Sequence, residues 1–469
     1  MGPRCVLVLV ALLAVVHHVT PMRTLYANQP IDMGLNADDV GEPLFLTPLI
    51  RDGHLDKARS LARVGHLNGD NVLSYSGYLT VNETTQSNLF FWFFPALSHS
   101  ATAPTILWLQ GGPGASSLFG LFVEHGPYEV TADQLIRFRN TTWTRQFNML
   151  YIDNPVGAGY SFTKSDSGYV TNEAEVGRDL FEALQQFFTL FGELSTNDFY
   201  ISGESYAGKY VPAIATTIHQ HRNEAKMKFV GMAIGDGLCD PVTMLDYGDF
   251  LLQIGLIDKL QWVKFSEDQQ KARKLINDGD FVGAFHVFND LLGVFKNFAN
   301  ESYFERVTGL KFFYNFLLTK APASYEYYNR FVQTAETRRA IHVGNLTYNG
   351  GYVVEKHLLG DIMRSVKPLV AEIMNHYKVM IYNGQLDIVI ATPLTASFVN
   401  SIEWNGSDQL AKTKRVIWTN PKSGDLAGYV RHVGKFTEVL VRNAGHILPY
   451  DQPDNAYDMI DRFVNDKPF

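Results

Sequence analysis

Three residues of this 469-residue chain stand where a nucleophile, an acid and a base would be useful. Ser205 follows the apolar run FYISG (199–203), Asp387 follows KVMIYNGQL, and His446 closes TEVLVRNAGH (437–446). A serine hydroxyl attacks poorly until a neighbouring base takes its proton, and that base must itself be oriented by a third group. Gly203-Glu204-Ser205-Tyr206-Ala207 is close to the G-x-S-x-G turn that lifts a serine from a strand end onto a helix start, with alanine in the last place. The helix begins in YAGKYVPAIATTIHQH, with Pro212 in its early turns, so the amide of Tyr206 is available to donate. Gln110-Gly111-Gly112-Pro113-Gly114 directly follows TILWL. Glycines there admit close backbone approach, and the Gly112 amide can pair with that of Tyr206 on the oxyanion of an acyl-transfer intermediate.

Such a set needs a scaffold that gathers strand ends. SYSGYLTVN (74–82) and NLFFWFFPA (88–96) read as a hairpin. TILWLQ (105–110), MLYIDNP (149–155), FYISG, VGMAIGDG (230–237), KVMIYNG (378–384) and TEVLVRNAGH read as buried parallel strands. Val176, Leu180, Leu184, Phe187 and Phe188 recur at helical spacing between two of them. The fold class is α/β with a mostly parallel central sheet, in which ligand chemistry collects at the carboxyl ends of the strands. The chain order Ser205, Asp387, His446 is that of an α/β-hydrolase fold. No strand candidate appears from Asp240 to about Arg338, while 271–298 has helical periodicity. About 240–338 is therefore expected to be a helical insertion that caps the site. Residues 24–70 are irregular, with Pro and Gly scattered through them, and read as a wrapping segment or a prosegment.

With 46% hydrophobic and 19% charged residues the chain can bury a large core, and its net charge of −8 without a basic stripe excludes nucleic acid as a partner. Arg4 precedes an apolar run over 5–16. That run is shorter than the roughly 20 residues needed to span a bilayer but suits a signal peptide. Residues 1–22 are assigned to the leader and 23–469 to the mature domain, and no later run is long and apolar enough for a membrane span. Five N-x-S/T sequons, at Asn82, Asn140, Asn300, Asn345 and Asn405, predict glycosylation on that route. The only cysteines are Cys5, in the leader, and Cys239, read as a buried inert thiol, so no intramolecular disulfide is available. His219 and His221 lack a nearby carboxylate or cysteine in sequence and read as surface helix residues. With no HExxH, phosphate loop or dinucleotide fingerprint, neither metal nor cofactor is expected.

WLQGGPGASS (108–117), FVEHGPY (122–128), DNPVGAGYSF (153–162), GESYAGKYVP (203–212), YNGQLD (382–387) and AGHILPYDQP (444–453) together resemble the serine carboxypeptidase family, in particular its vitellogenic-carboxypeptidase-like branch, from about residue 43 to the C-terminus. The resemblance implies an α/β-hydrolase core with a helical cap. It also implies release of single amino acids from peptide or protein C-termini at acid pH through an acyl-enzyme, and secreted, lysosomal and yolk-granule destinations all fit the cleaved leader. By that resemblance Ser205 is the nucleophile, His446 the general base and Asp387 its orienting acid, with Gly112 and Tyr206 supplying the oxyanion amides. The family binds the substrate's carboxylate with an Asn-Gly pair and two glutamates, which match Gln110, Gly111, Glu124 and Glu204. Two ionised glutamates would repel that carboxylate, so at least one must keep a proton, which accounts for an acid beside the nucleophile. Gln110 replaces the family's asparagine, Ala115 stands where many relatives have cysteine, and the family's disulfides cannot form. Relatives on this scaffold include acyltransferases and lyases, and a catalytically silent binding or protective protein is the other alternative. The sequence sets neither the preferred C-terminal residue nor the oligomeric state.

Overall fold

The structure, a computed structural model, describes residues 37–67, 72–298 and 301–469. The expected leader (1–22) and the sequon at Asn300 lie outside the described residues. Ten strands form the central sheet, in the spatial order Tyr75–Asn82, Ser87–Phe94, Asn148–Ile152, Thr105–Leu109, Asp198–Glu204, Lys228–Gly235, Lys378–Gly384, Phe436–Val441, Leu426–Val433, Val416–Thr419. The six inner strands, from Asn148–Ile152 to Phe436–Val441, run parallel. Antiparallel strands close both edges. The inner runs are apolar on both faces because helices cover both, and TILWL and NMLYI are buried throughout. Every residue of Ser87–Phe94 is buried as well.

The helix Glu173–Leu190 opens on Asn172, whose side chain accepts from the Glu175 amide, and it buries Val176, Leu180, Leu184, Phe187 and Phe188 as the spacing predicts. It packs on the helix Ala207–Gln220. Gly177 permits that approach, since a Cβ there would lie 2.4 Å from Thr217 Oγ1 and 3.0 Å from Ala213 O.

Between Gly235 and Lys378 the chain is largely helical, with Tyr247–Gln253, Lys259–Asn277, Phe281–Leu292, Tyr303–Thr308, Ser324–Val332 and Ala335–Ala340 in the first part. The single helical stretch expected over 271–298 is two helices. Asp278-Gly279-Asp280 breaks it, Gly279 takes φ 82°, and Asp280 caps the next helix by accepting from Gly283 N. The stretch read as irregular contains the helices Ala37–Val40, Thr47–Arg51 and Leu55–Ala62, and Leu46 N donates to Tyr78 O, so it lies along the first strand. The Val416–Thr419 and Leu426–Val433 strands are an edge addition absent from the sequence reading.

Candidate active site

Glu204 ends its strand and Ala207 begins a helix, and Ser205 makes the turn between them with φ 63°. That region is sparsely populated for a residue with a Cβ, so neighbours must hold it. Ser205 N donates to Gly235 O (3.0 Å), and Ser205 O accepts from Gly208 N (2.9 Å) and Leu238 N (3.0 Å). The result is a serine that reaches solvent between two buried neighbours, Glu204 and Tyr206. A Cβ on Gly203 would sit 2.5 Å from Leu109 O and 2.8 Å from Ala207 Cβ. Glycine is thus required at the first place of the motif, while alanine packs beneath it at the last.

The glycine-rich loop after Thr105–Leu109 lies against this turn. A Cβ on Gly111 would be 2.5 Å from Tyr206 N and 2.7 Å from Ser205 Cβ, and Gly112 takes φ +115°. Asp153 anchors the loop from the neighbouring strand end, accepting from Ser116 Oγ (2.6 Å), Ser117 N (2.9 Å) and Tyr160 N (2.8 Å).

The acid and the histidine meet across two adjacent parallel strands. His446 Nδ1 lies 2.7 Å from Asp387 Oδ2, both fully buried, and Asp387 Oδ1 accepts from Ile390 N (3.2 Å). The Tyr314 ring, from the segment between Gly235 and Lys378, stacks on the imidazole at 4.5 Å, and His446 N donates to Tyr314 O (2.6 Å). Among the described residues, His446 Nε2 makes no hydrogen bond, to Ser205 or to any other group. Burial pushes the imidazole down to about 4, with Asp236 opposing, so it is neutral at mildly acid pH. Asp236, which the sequence reading passed over inside VGMAIGDG, adjoins both residues: ligand-type atoms of Asp236, Asp387 and His446 all lie within 4.8 Å of one another.

Gln110, Glu124 and Glu204 form a second buried set. Trp108 Nε1 donates to Gln110 Oε1 (2.9 Å), which fixes the amide so that Nε2 donates to Glu204 Oε1 (2.8 Å). Glu124 closes a π-helical turn, Gly120–Glu124, and meets Glu204 side chain to side chain. Gly120 is needed because a Cβ there would lie 2.2 Å from the Trp108 indole nitrogen. Burial pushes Glu124 up to about 8, against the pull of Gln110, Glu204 and Arg139. Burial and the charges of Glu124 and Asp236 hold Glu204 well above the ordinary carboxylate range. Arg139 braces this turn, its guanidinium donating to the carbonyls of Phe122, Gly126 and Tyr128. The longer stem of Gln110 therefore serves a relay from indole to amide to carboxyl pair.

Cys239 is buried, its thiol donating to Gly208 O (3.2 Å), and burial raises its pKa. Against the expectation of no nearby carboxylate, His221 lies 3.6 Å from Glu224, three residues further along the chain. The fold gives His219 a carboxylate from a distant part of the chain, Glu372 at 3.6 Å, with His376 stacked beside it. Trp108, Asp153 and Asp236 were within reach of sequence reasoning, since each lies in or beside a quoted motif. Tyr314 carries no local signal.

Residues 67–466 match the family model described as serine carboxypeptidase. A human protein named "Probable serine carboxypeptidase CPVL" is 50% identical over 433 residues, 92% of this chain and 91% of the relative. The venom serine carboxypeptidase of Apis mellifera is 47% identical, covering 93% of each chain, and the vitellogenic carboxypeptidase of Aedes aegypti is 44% identical, covering 91% and 90%. Among solved structures, Kex1Δp, a prohormone-processing carboxypeptidase from Saccharomyces cerevisiae, superposes with a TM-score of 0.74 at 22% identity, over 87% of this chain and 96% of its own. That likeness carries the fold, an α/β hydrolase with a large, mostly parallel sheet. By the family match and these identities, the chain belongs to the serine carboxypeptidase family.

Proposed function

We propose that the protein removes single amino acids from peptide C-termini at acid pH, through an acyl-enzyme on Ser205. In this reading Ser205 Oγ attacks the last peptide carbonyl while His446 Nε2 takes its proton, and Asp387 holds the imidazole through Nδ1. The amides of Gly112 and Tyr206 receive the developing oxyanion. His446 then gives the proton to the departing amine, and water repeats the sequence to free the shortened peptide. The substrate's terminal carboxylate is accepted by Gln110, Gly111 and the Glu124–Glu204 pair, which must hold at least one proton to donate. The inserted segment caps the site, to which its non-helical stretch between Tyr303–Thr308 and Ser324–Val332 contributes Tyr314.

One observation carries this reading: the two buried glutamates in contact, oriented by Gln110, immediately beside the strained serine. A site that only hydrolysed or transferred acyl groups would have no use for a proton-bearing carboxyl pair there. A leader over 1–22 and a secreted, lysosomal or yolk-granule destination belong to the same proposal, with peptide or protein C-termini as the partners. Asn140, Asn345 and Asn405 are exposed and Asn82 half-buried, which supports sugar attachment at these four. The test is labelling by an active-site phosphonate together with release of free amino acid from an N-blocked dipeptide. Wild type is expected to do both, and Ser205→Ala neither. Labelling without amino-acid release, or acyl transfer in place of hydrolysis, would overturn the proposal.

A further inference from the structure

Asp236 sits at the end of Lys228–Gly235, one strand over from the strand that leads to Asp387. Its backbone takes φ 43°, its N–H donates to Tyr382 O (2.9 Å), and its fully buried carboxyl joins the neighbouring strand end. Asp236 Oδ1 accepts from Asn383 Nδ2 (2.5 Å) and Gly384 N (2.8 Å). Both oxygens of Asp387 are likewise occupied, by Ile390 N and by His446. Asp236 Oδ2 alone of the four oxygens has no N–H donor. The 2.7 Å between His446 Nδ1 and Asp387 is a direct hydrogen bond, shorter than the ~3.4 Å between ligands around a tetrahedral ion with bonds of about 2.1 Å, so the group is not arranged as a metal site.

Among the described residues neither carboxyl has a lysine or arginine as an ion-pair partner; Asp236 faces Asp387, His446, Glu204 and Tyr382, and Asp387 also faces Asp451 and Tyr247. Two buried carboxylates in contact without a cation cannot both be ionised. We propose that Asp236 is a positioning residue of the triad, a second carboxyl whose Oδ2 keeps a proton and donates it in a hydrogen bond to Asp387, leaving Asp387 as the anion that orients His446. Asp236 never touches substrate. It holds the rotamer of Asp387 and keeps that carboxylate from claiming the imidazole's proton. The inference rests on the triad roles proposed above.

The protonated form is what asparagine imitates: an amide oxygen can still accept from Asn383 and Gly384 while its NH2 donates to Asp387, and asparagine tolerates the left-handed backbone. Asp236→Asn is expected to keep kcat within about threefold of wild type. Asp236→Ala is expected to lower kcat about 10- to 100-fold, as loss of a hydrogen bond to a charged group would, with KM unchanged. Both are measured on an N-blocked ester, with enzyme concentration fixed by phosphonate titration. Asp236→Asn alone keeps the proposal falsifiable if the alanine variant does not fold. A fall of more than tenfold in the asparagine variant means that a charge is needed and overturns the proposal, as does full activity in the alanine variant. Wild type inert to the phosphonate would overturn the triad reading along with this one, whereas a fully active wild type with either of those variant results sinks only the role of Asp236.

Discussion

Replacing Glu124 with glutamine should make the protein less sensitive to rising pH. Glu124 is fully buried, and neither of its oxygens has a conventional hydrogen-bond donor. It titrates near 4.5 when free and at about 8 in the fold. A raised folded-state pKa gives stability that is complete below the ordinary value and is lost as pH climbs through 8, because the unfolded chain releases the proton first. At 1.36 kcal/mol per unit, wild type loses about 3 kcal/mol of folding free energy between pH 5 and pH 7.5 from this residue. Glutamine keeps the volume and the hydrogen-bonding capacity but cannot ionise. Urea unfolding of both proteins at the two pH values measures the difference: the gap between Glu124→Gln and wild type should widen by about 3 kcal/mol toward Glu124→Gln at the higher pH. If wild type loses no more stability than the variant over that interval, Glu124 is not held protonated, and the account of the carboxyl pair fails.

Three further outcomes follow from the packing. Gly111→Ala drives a methyl into Tyr206 N and Ser205 Cβ, and should cut kcat on an ester by roughly 100-fold, the scale of a lost oxyanion donor. Lys209 is fully buried in an ion pair with Asp361 (2.9 Å) near the buried Glu173, so Lys209→Met should cost about 3–5 kcal/mol in urea unfolding at neutral pH, while Lys264→Met, at the exposed pair with Asp268, should leave stability unchanged within error. Cys239 should resist thiol reagents in the native protein and react fully once denatured, and rapid native labelling would contradict its burial.

The candidate triad was legible because each member follows a buried strand, and a parallel sheet brings such ends together whatever the length of chain between them. The inner strands were legible for the same reason, as continuous apolar runs. What escaped depends on which strands become neighbours. Gly235 pairs with Tyr382, and this register sets Asp236 against Asn383, Gly384 and Asp387, a contact across about 150 residues that no local pattern announces. Tyr314 reaches His446 from the segment between Gly235 and Lys378 by tertiary packing alone. Val416–Thr419 is a short edge strand with Val416 and Ile417 facing solvent, so it lacks the buried-run signature. The break at Gly279 was overridden in the reading by strong helix formers on both sides. Trp108 was visible as a core aromatic, but its bond to Gln110 needed the coordinates.

The proposal that the Glu124–Glu204 pair keeps a proton for the substrate's carboxylate is tested most directly by the pH dependence of kcat/KM on two matched peptides, one with a free C-terminal carboxylate and one with that group amidated. Both should rise through an acid limb as His446, held down to about 4, loses its proton. On the alkaline side, where the pair gives up its last proton, the free-acid peptide should lose about tenfold per pH unit while the amidated one holds level. Parallel alkaline limbs for the two peptides would contradict it.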